Sequence, residues 1–331
     1  MRGTSAPLLR CPRCHADGAL RLTAEARDAR EVTSGALTCA RCGRTGAVTG
    51  GVADLLHDPP PFVTAEAAGL RRFAERMRAD GWDRERVLRL PDEPSPYWHG
   101  QRASLAQLAR TVAFRPGQRL LDVGANTCWA SAAFARDGLE VLALDIATHE
   151  LQGLDTARWW MERDGTHFER LLGVMYDLPV ASATLDHVFC CEVLHHNGLA
   201  NLRRTLREAY RVLKPGGTLS VIRETLRAPL TPQLRPGHEV AEFEGHEHAF
   251  LAATYLTAAR AAGFRTRVLD PAGHWVLSGE PFAPSRRRRG ALKLAALELT
   301  RRRAPTRRAY RAYLHHVAGT VPLSFTAVKR P

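Results

Sequence analysis

The sequence predicts an α/β fold: a doubly wound, largely parallel sheet with helices on both faces, preceded by a small metal-binding module. Three observations predict it. From Ala103 onward, short apolar runs of strand length alternate with helical stretches, the order of elements that builds such sheets. Two C-x2-C pairs, Cys11/Cys14 and Cys39/Cys42, are confined to the first 57 residues. The chain has 331 residues, 45% hydrophobic and 24% charged, enough for one large domain plus a small one of ordinary globular composition.

Taken in order, residues 1–57 hold the four paired cysteines. Each C-x2-C turn presents two thiolates, and two such turns close a tetrahedral Zn2+ site with no open position, which makes the site structural. Cys128, Cys190 and Cys191 lie far downstream in apolar contexts. Asp58-Pro-Pro-Pro61 is a stiff break, opening a linker and helical extension over 58–102. Within it, Ala67, Leu70, Phe73 and Met77 share one helical face. Residues 91–100 read as a proline-rich loop carrying Tyr97 and Trp98, able to close over a substrate or to pack the linker down.

From 103 to 331 the main domain follows. Leu105, Leu108, Ala109 and Val112 mark a helix; strands are predicted at Leu120–Val123, Leu139–Leu144, Phe168–Leu172, Asp186–Cys190, Thr218–Arg223, Phe264–Asp270 and Pro322–Lys329. The clearest helix places Leu199, Leu202, Leu206, Tyr210 and Leu213 on one face. A helical insertion at about 283–316 separates the last two strands.

The net charge of +13 suggests an anionic partner until it is located. Only Lys214, Lys293 and Lys329 are lysines, and such an arginine bias follows from GC-rich coding alone. Arg286 to Arg311 carries a net +10, leaving +3 for the rest. That segment reads as an RNA-binding arm, a helix on an anionic membrane surface, or a solvated hairpin. No stretch of 18 apolar residues occurs, and Met1 to Arg10 is too interrupted for a secretory leader; a cytoplasmic protein is expected.

The chemistry concentrates at Leu121-Asp-Val-Gly-Ala-Asn-Thr-Cys128, a strand, a tight turn and a helix start, where backbone N–H groups face a ligand. Asp145 follows 21 residues after Gly124, at the end of the next strand, where a carboxylate can accept both hydroxyls of a ribose.

These stretches, with Leu178-Pro179, Asp186-His-Val-Phe-Cys-Cys-Glu-Val-Leu-His-His196 and Ala209-Tyr-Arg-Val-Leu-Lys-Pro-Gly-Gly-Thr-Leu219, resemble class I S-adenosylmethionine-dependent methyltransferases. The resemblance implies a seven-stranded Rossmann-like sheet over roughly 105–331. It further implies that Asp122 and Gly124 hold the methionine end of the cofactor, Asp145 the ribose and Met175 the adenine through its backbone, with Cys191 also lining the site. Where relatives carry three glycines, this chain has Gly124, Asn126 and Cys128. Asn126 tolerates positive φ and keeps the turn, while Cys128 tightens the approach of helix to strand. Val174 stands where relatives often carry an aspartate for the adenine. The N-terminal segment resembles a zinc ribbon of the small zinc-binding activator proteins that partner RNA and protein methyltransferases.

Methyl transfer needs alignment and, for weak nucleophiles, a base. Glu192, His195 and His196, just after the fourth strand, are the candidates, joined by Glu224 after the fifth. Glu242 to Phe250 concentrates ionisable groups where acceptor pockets form; His246 and His248 belong either to a polar acceptor clamp, to a second metal site, or to a solvated loop. The leading reading is methyl transfer to a small molecule: a metabolite, glycan or natural-product intermediate. Methylation of rRNA or tRNA, and an inactive cofactor-fold binding protein, are the alternatives.

Overall fold

The computed structural model describes residues 1–227, 247–274, 277, 291–319 and 321–330. Eleven strands among them form one sheet: β1 (Leu20–Arg27), β2 (Val32–Cys39), β3 (Thr45–Thr49), β4 (Val52–Asp54), β5 (Arg119–Val123), β6 (Glu140–Asp145), β7 (Glu169–Leu172), β8 (Leu185–Cys191), β9 (Leu213–Glu224), β10 (Phe264–Val268) and β11 (Leu323–Lys329). Their spatial order is β1-β2-β3-β4-β7-β6-β5-β8-β9-β11-β10. From β7 across to β9 neighbours are parallel; β11 runs antiparallel between β9 and β10. This is an α/β, Rossmann-like arrangement. The chain leaves β5 toward β6 on one side and reaches β8 on the other, so the crevice at the carboxyl ends of β5 and β8 is where a ligand fits.

The sheet is wider than the seven strands expected of its α/β part. β1 to β4 form an antiparallel meander that continues it, because β4 pairs parallel with β7: Val52 lies opposite Arg170, Ala53 opposite Leu171 and Asp54 opposite Leu172. The Leu55 amide then donates to the Leu172 carbonyl at 2.9 Å. Beside this seam Arg170 is fully buried, donates to the Gly50 carbonyl at 3.0 Å and forms an ion pair with Glu31. His167 Nε2 meets the same carboxylate at 3.2 Å.

β5 is covered on both faces, as alternation requires of a central strand. Leu120 packs in one layer with Val141 and Phe189; Leu121 and Val123 pack in the other with Leu144 and Val188. The helices are α1 (Pro61–Ala79), α2 (Arg84–Leu88), α3 (Pro96–Thr111), α4 (Trp129–Arg136), α5 (Ala157–Asp164), α6 (Leu199–Val212), α7 (Ala252–Ala261), α8 (Ala291–Arg302) and α9 (Ala304–Tyr313). On α6, Leu202 and Leu206 are buried as expected, while Leu199 in its first turn is exposed.

One expectation is corrected. Tyr97 and Trp98 do not lie in a loop: α3 starts at Pro96, with the Ser95 hydroxyl accepting the Trp98 amide at 3.2 Å. Ser followed by Pro is a helix start, a capping side chain and then a residue whose missing N–H is one the first turn leaves unbonded.

Of the basic segment, Arg286 to Arg289 lie outside the described residues. Downstream, Glu298 pairs with Arg301 at 2.8 Å and Arg302 at 3.1 Å, and Arg311 with Asp270 at 2.7 Å. No helix among the described residues is long and apolar enough to cross a membrane.

Candidate active site

The turn after β5 opens the site. Gly124 has φ +70°, and a Cβ there would stand 2.2 Å from Val193 Cγ2, so a glycine is required by conformation and by space alike. Asn126 takes φ +43°, as expected of it, and Cys128 takes φ +56° as well. A buried cysteine in the left-handed region carries strain that glycine would not; the expected crowding thus falls on the backbone ahead of α4.

Asp145 ends β6 with Oδ2 accepting the Asn126 amide at 2.8 Å and Oδ1 the Ala147 amide at 3.0 Å. Burial pushes its carboxyl up to about 6 against those bonds. Asp122, also buried, accepts the Ser131 hydroxyl at 2.6 Å, and burial pushes it up to about 7. The Asn126 side-chain amide donates to Gln152 at 2.7 Å, which locks the turn onto the segment after β6.

These groups line a cavity of about 910 Å³ that also reaches Met175 and Cys191. Asn197 donates to the Met175 sulfur at 2.7 Å, and the Cys191 thiol to Gln101 at 3.0 Å. The cavity is roofed by α1, through Phe62, Glu66, Leu70, Phe73 and Met77, and by the first turns of α3, through Tyr97 and Trp98. Trp98 meets Tyr97 and Trp129 edge-on, with centroids 5.1 and 6.0 Å away.

Glu192, at φ +49°, projects under α3. Its carboxylate accepts from Tyr97 at 2.7 Å, Gln101 at 2.6 Å and Arg223 Nε at 3.0 Å. Although half of the Tyr97 side chain is exposed, desolvation of its hydroxyl and then the Glu192 charge hold the phenol above its ordinary range. Three donors on one carboxylate suit a clamp that positions α3 better than a free base.

His195 and His196 follow on one short helical turn, ring centroids 4.4 Å apart. His195 Nδ1 meets Glu224 at 3.1 Å, and Glu224, fully buried, also accepts the amides of Val193, Leu194 and His195 at 2.9 to 3.2 Å. Burial alone would raise this carboxyl; His195 and the amides outweigh it and hold it below its ordinary value. His196 Nδ1 pairs with Glu66 of α1 at 2.7 Å, and although burial opposes the charged imidazole, Glu66 raises it above its ordinary value. The His248 amide donates to the His195 carbonyl at 2.6 Å, which brings Glu247 to the cavity. Glu224 and His248 thus stand behind the wall rather than on it, and His246 lies outside the described residues.

At the far end of the sheet the four N-terminal cysteines converge. Cys11 and Cys42 sulfurs lie 3.7 Å apart, Cys14 and Cys39 3.6 Å, all four within 4.8 Å and none in a disulfide. Each knuckle is closed by a residue at positive φ, His15 and Gly43, whose amides donate to Cys11 and Cys39 carbonyls. Four thiolates about 2.3 Å from Zn2+ stand about 3.8 Å apart, so the donor set fits that ion.

Sequence reasoning missed Glu66, Gln101, Gln152, Asn197 and Arg223. Glu66 alone left a local signal: it interrupts an apolar helical face between Val63 and Leu70.

A family model described as a methyltransferase domain matches residues 121–221. The chain is 34% identical over 147 residues to a malonyl-[acyl-carrier protein] O-methyltransferase of Serratia marcescens, covering 44% of this chain and 53% of that one. It is 34% identical over 154 residues to a demethylmenaquinone methyltransferase of Tropheryma whipplei, covering 46% and 58%. The chain therefore spans about half the length of the curated relatives it matches. Among solved structures, a chain from the complex of the Haloferax volcanii Trm112 methyltransferase activator with its methyltransferase aligns over 80% of this chain and 97% of its own, at 18% identity and a TM-score of 0.47.

Proposed function

We propose that the chain is an S-adenosylmethionine-dependent methyltransferase acting on a small-molecule acceptor, a metabolite, glycan or natural-product intermediate. Residues 1–57 form a zinc ribbon on Cys11, Cys14, Cys39 and Cys42, 58–102 roof the site, and 103–331 form the catalytic domain with its basic insertion. One observation carries the reading: the segment matched by the methyltransferase model contributes its glycine turn, Asp122 and Asp145 to one wall of a single cavity. The relatives are named for malonyl-[acyl-carrier protein] and for demethylmenaquinone, which supports a compact acceptor group under a roof of side chains.

The cofactor supplies a methyl group activated on a sulfonium. Asp145 has lone pairs left over from its two amide bonds for the ribose hydroxyls, the Met175 backbone lies beside the adenine, and Asp122 and the Gly124 turn hold the methionine end, with Asn126 and Cys191 completing the wall. Glu192 acts through Tyr97, Gln101 and Arg223 to set α3 over the acceptor. His195, His196 and the aromatic pair Tyr97 and Trp98 bound the acceptor space, exclude water and restrict its approach, the alignment on which methyl transfer depends.

Calorimetry with S-adenosylmethionine and S-adenosylhomocysteine tests the cofactor half. We expect binding to the native chain and a loss of about 10–100-fold in Asp145→Ala, two charge-assisted hydrogen bonds being removed. No binding by the native chain overturns the reading. Labelled cofactor incubated with fractionated extract tests the acceptor half: label should enter small molecules, and label confined to RNA or protein would reject this acceptor class.

A further inference from the structure

We propose, resting on the function above, that His195 is the general base of the methyl transfer and that the acceptor atom is a hydroxyl oxygen on a flat ring, of the phenol or enol class. His195 stands where a base is needed. It lines the cavity and follows by two residues Val193, whose side chain closes on Gly124. The turn that carries it therefore abuts the glycine turn assigned to the methionine end of the cofactor.

The state of the ring follows from its partner. Nδ1 lies 3.1 Å from Glu224 Oε2, and the same buried carboxylate accepts the amides of Val193, Leu194 and His195. These contacts fill its lone-pair sites and leave no place for a proton of its own. The shared proton therefore belongs to Nδ1, and Nε2 of the neutral ring is a bare lone pair. Among the described residues nothing else hydrogen-bonds the ring, which leaves Nε2 to the cavity. A base oriented by a buried carboxylate is the arrangement that proton abstraction requires, since the carboxylate also balances the imidazolium that forms. The other ionisable groups around this turn are His196, Glu66 of α1, and Glu247 and His248 ahead of α7. Burial opposes a charge on His196, but Glu66 outweighs it and holds that ring toward its charged form, so His195 is the freer of the two to take a proton. A built base narrows the acceptor. A carboxylate is ionised already and an amine attacks through a lone pair it owns, whereas a hydroxyl must shed a proton as it attacks. Phenol-type hydroxyls ionise at roughly 10, much closer to an imidazole than an aliphatic alcohol does. Phe62 and Phe73 of α1, with Tyr97 and Trp98 of α3, roof the same cavity and offer aromatic faces and edges to a flat ring. As the acceptor oxygen takes the methyl, the carbon–sulfur bond breaking with its pair left on sulfur, the hydroxyl proton passes to Nε2; water later removes it.

Two measurements on the full chain test this. With the histidine ring nitrogens isotopically labelled and S-adenosylhomocysteine bound, the His195 resonance, assigned by its loss in His195→Gln, should show a neutral ring protonated on Nδ1 and bare on Nε2. A proton on Nε2 overturns the base. Labelled S-adenosylmethionine is then followed in the extract fraction that takes up label. The native rate should rise with pH and level off as His195 gives up its proton. His195→Gln should be slower by about 100-fold or more, and its residual rate should keep rising with pH as the hydroxyl ionises unaided. A variant at the native rate, or one slowed with the native pH profile, overturns the role. The transferred label should resist mild alkali and pass a cation exchanger; release as methanol, which marks an ester, or retention, which marks an amine, overturns the acceptor class. If His195→Gln fails to fold, His195→Asn takes its place. S-adenosylhomocysteine calorimetry keeps the two proposals apart, the variant being expected to bind as the native chain does. No binding by the native chain rejects the proposed function, whereas binding without the tautomer or the altered pH profile rejects the base alone.

Discussion

At Gly124 two requirements act on one residue, and they can be separated. Gly124→Ala adds a methyl at φ +70° against Val193, expected to destabilise by about 2–4 kcal/mol from backbone strain and overpacking together. Adding Val193→Ala to the same chain should recover the steric part and leave about 1 kcal/mol of conformational cost, measurable by urea denaturation of the two single variants and the double. Asp122 gives a prediction of opposite sign. Its carboxyl is pushed from 3.8 to about 7 by burial, so between those values the folded chain keeps a proton that the unfolded chain has lost. Stability therefore falls as pH rises through that window and stays lower above it. Asp122→Asn, which can still accept the Ser131 hydroxyl, should stabilise the cofactor-free protein at pH 8 by an amount on the order of 4 kcal/mol, read as a higher melting temperature. Below pH 4 it should change little. A higher melting temperature with weaker cofactor binding would mark a residue kept for its site and not for the fold. If Asp122→Asn melts lower than the native chain at pH 8, that account of Asp122 is wrong.

Between elements, the consequential contact is the pairing of β4 with β7. β7 runs directly into Gly173, Val174 and Met175, which line the cavity, while β4 is held by the meander whose other end carries the cysteine knuckles. On the zinc proposal, stripping the ion with a chelator should loosen β2 to β4 and, through the seam, the segment beside Met175. S-adenosylhomocysteine affinity should drop about tenfold, about 1.4 kcal/mol, and return when zinc is restored; unchanged affinity after verified zinc loss would show that the seam does not transmit. How much of this was legible beforehand follows from sequence separation. The cysteine pairs and the turn from Gly124 to Cys128 are local patterns, and both could be read from spacing. α3 was misread because Ser95-Pro96 sits among other prolines that suggest a loop. Gln101 and Gln152 line the cavity and Arg223 holds its Glu192, through contacts with partners 26 to 91 residues away, and no spacing rule covers those. Nor does any pattern in Val52-Ala-Asp54 say that its partner lies at 170–172.

Across the whole molecule, Glu31, His167 and Arg170 tie the N-terminal strands to the α/β sheet. Burial alone would raise the Glu31 carboxyl; His167 and Arg170 outweigh it and hold it at about 2, below its ordinary 4.5. A depressed carboxyl contributes stability that is complete above its ordinary value and is lost as pH falls from about 4.5 toward 2. Glu31→Gln leaves Arg170 buried without its counter-charge, a loss of about 3–5 kcal/mol at pH 7. Native and variant melting temperatures should converge as pH approaches 2; a gap that persists there would assign the loss to packing and not to charge. The same seam has a further consequence. In the α/β sheet taken by itself β7 is the outermost strand, and its outward row of amides and carbonyls over 170–172 is paired, among the described residues, with β4 and Leu55. A chain trimmed to residues 103–331 would expose that row as a template for any passing strand, including one from another copy of itself. The N-terminal segment thus shields the larger domain from self-association, and a truncated form that precipitates would be reporting a bare sheet edge, not a lost catalytic residue.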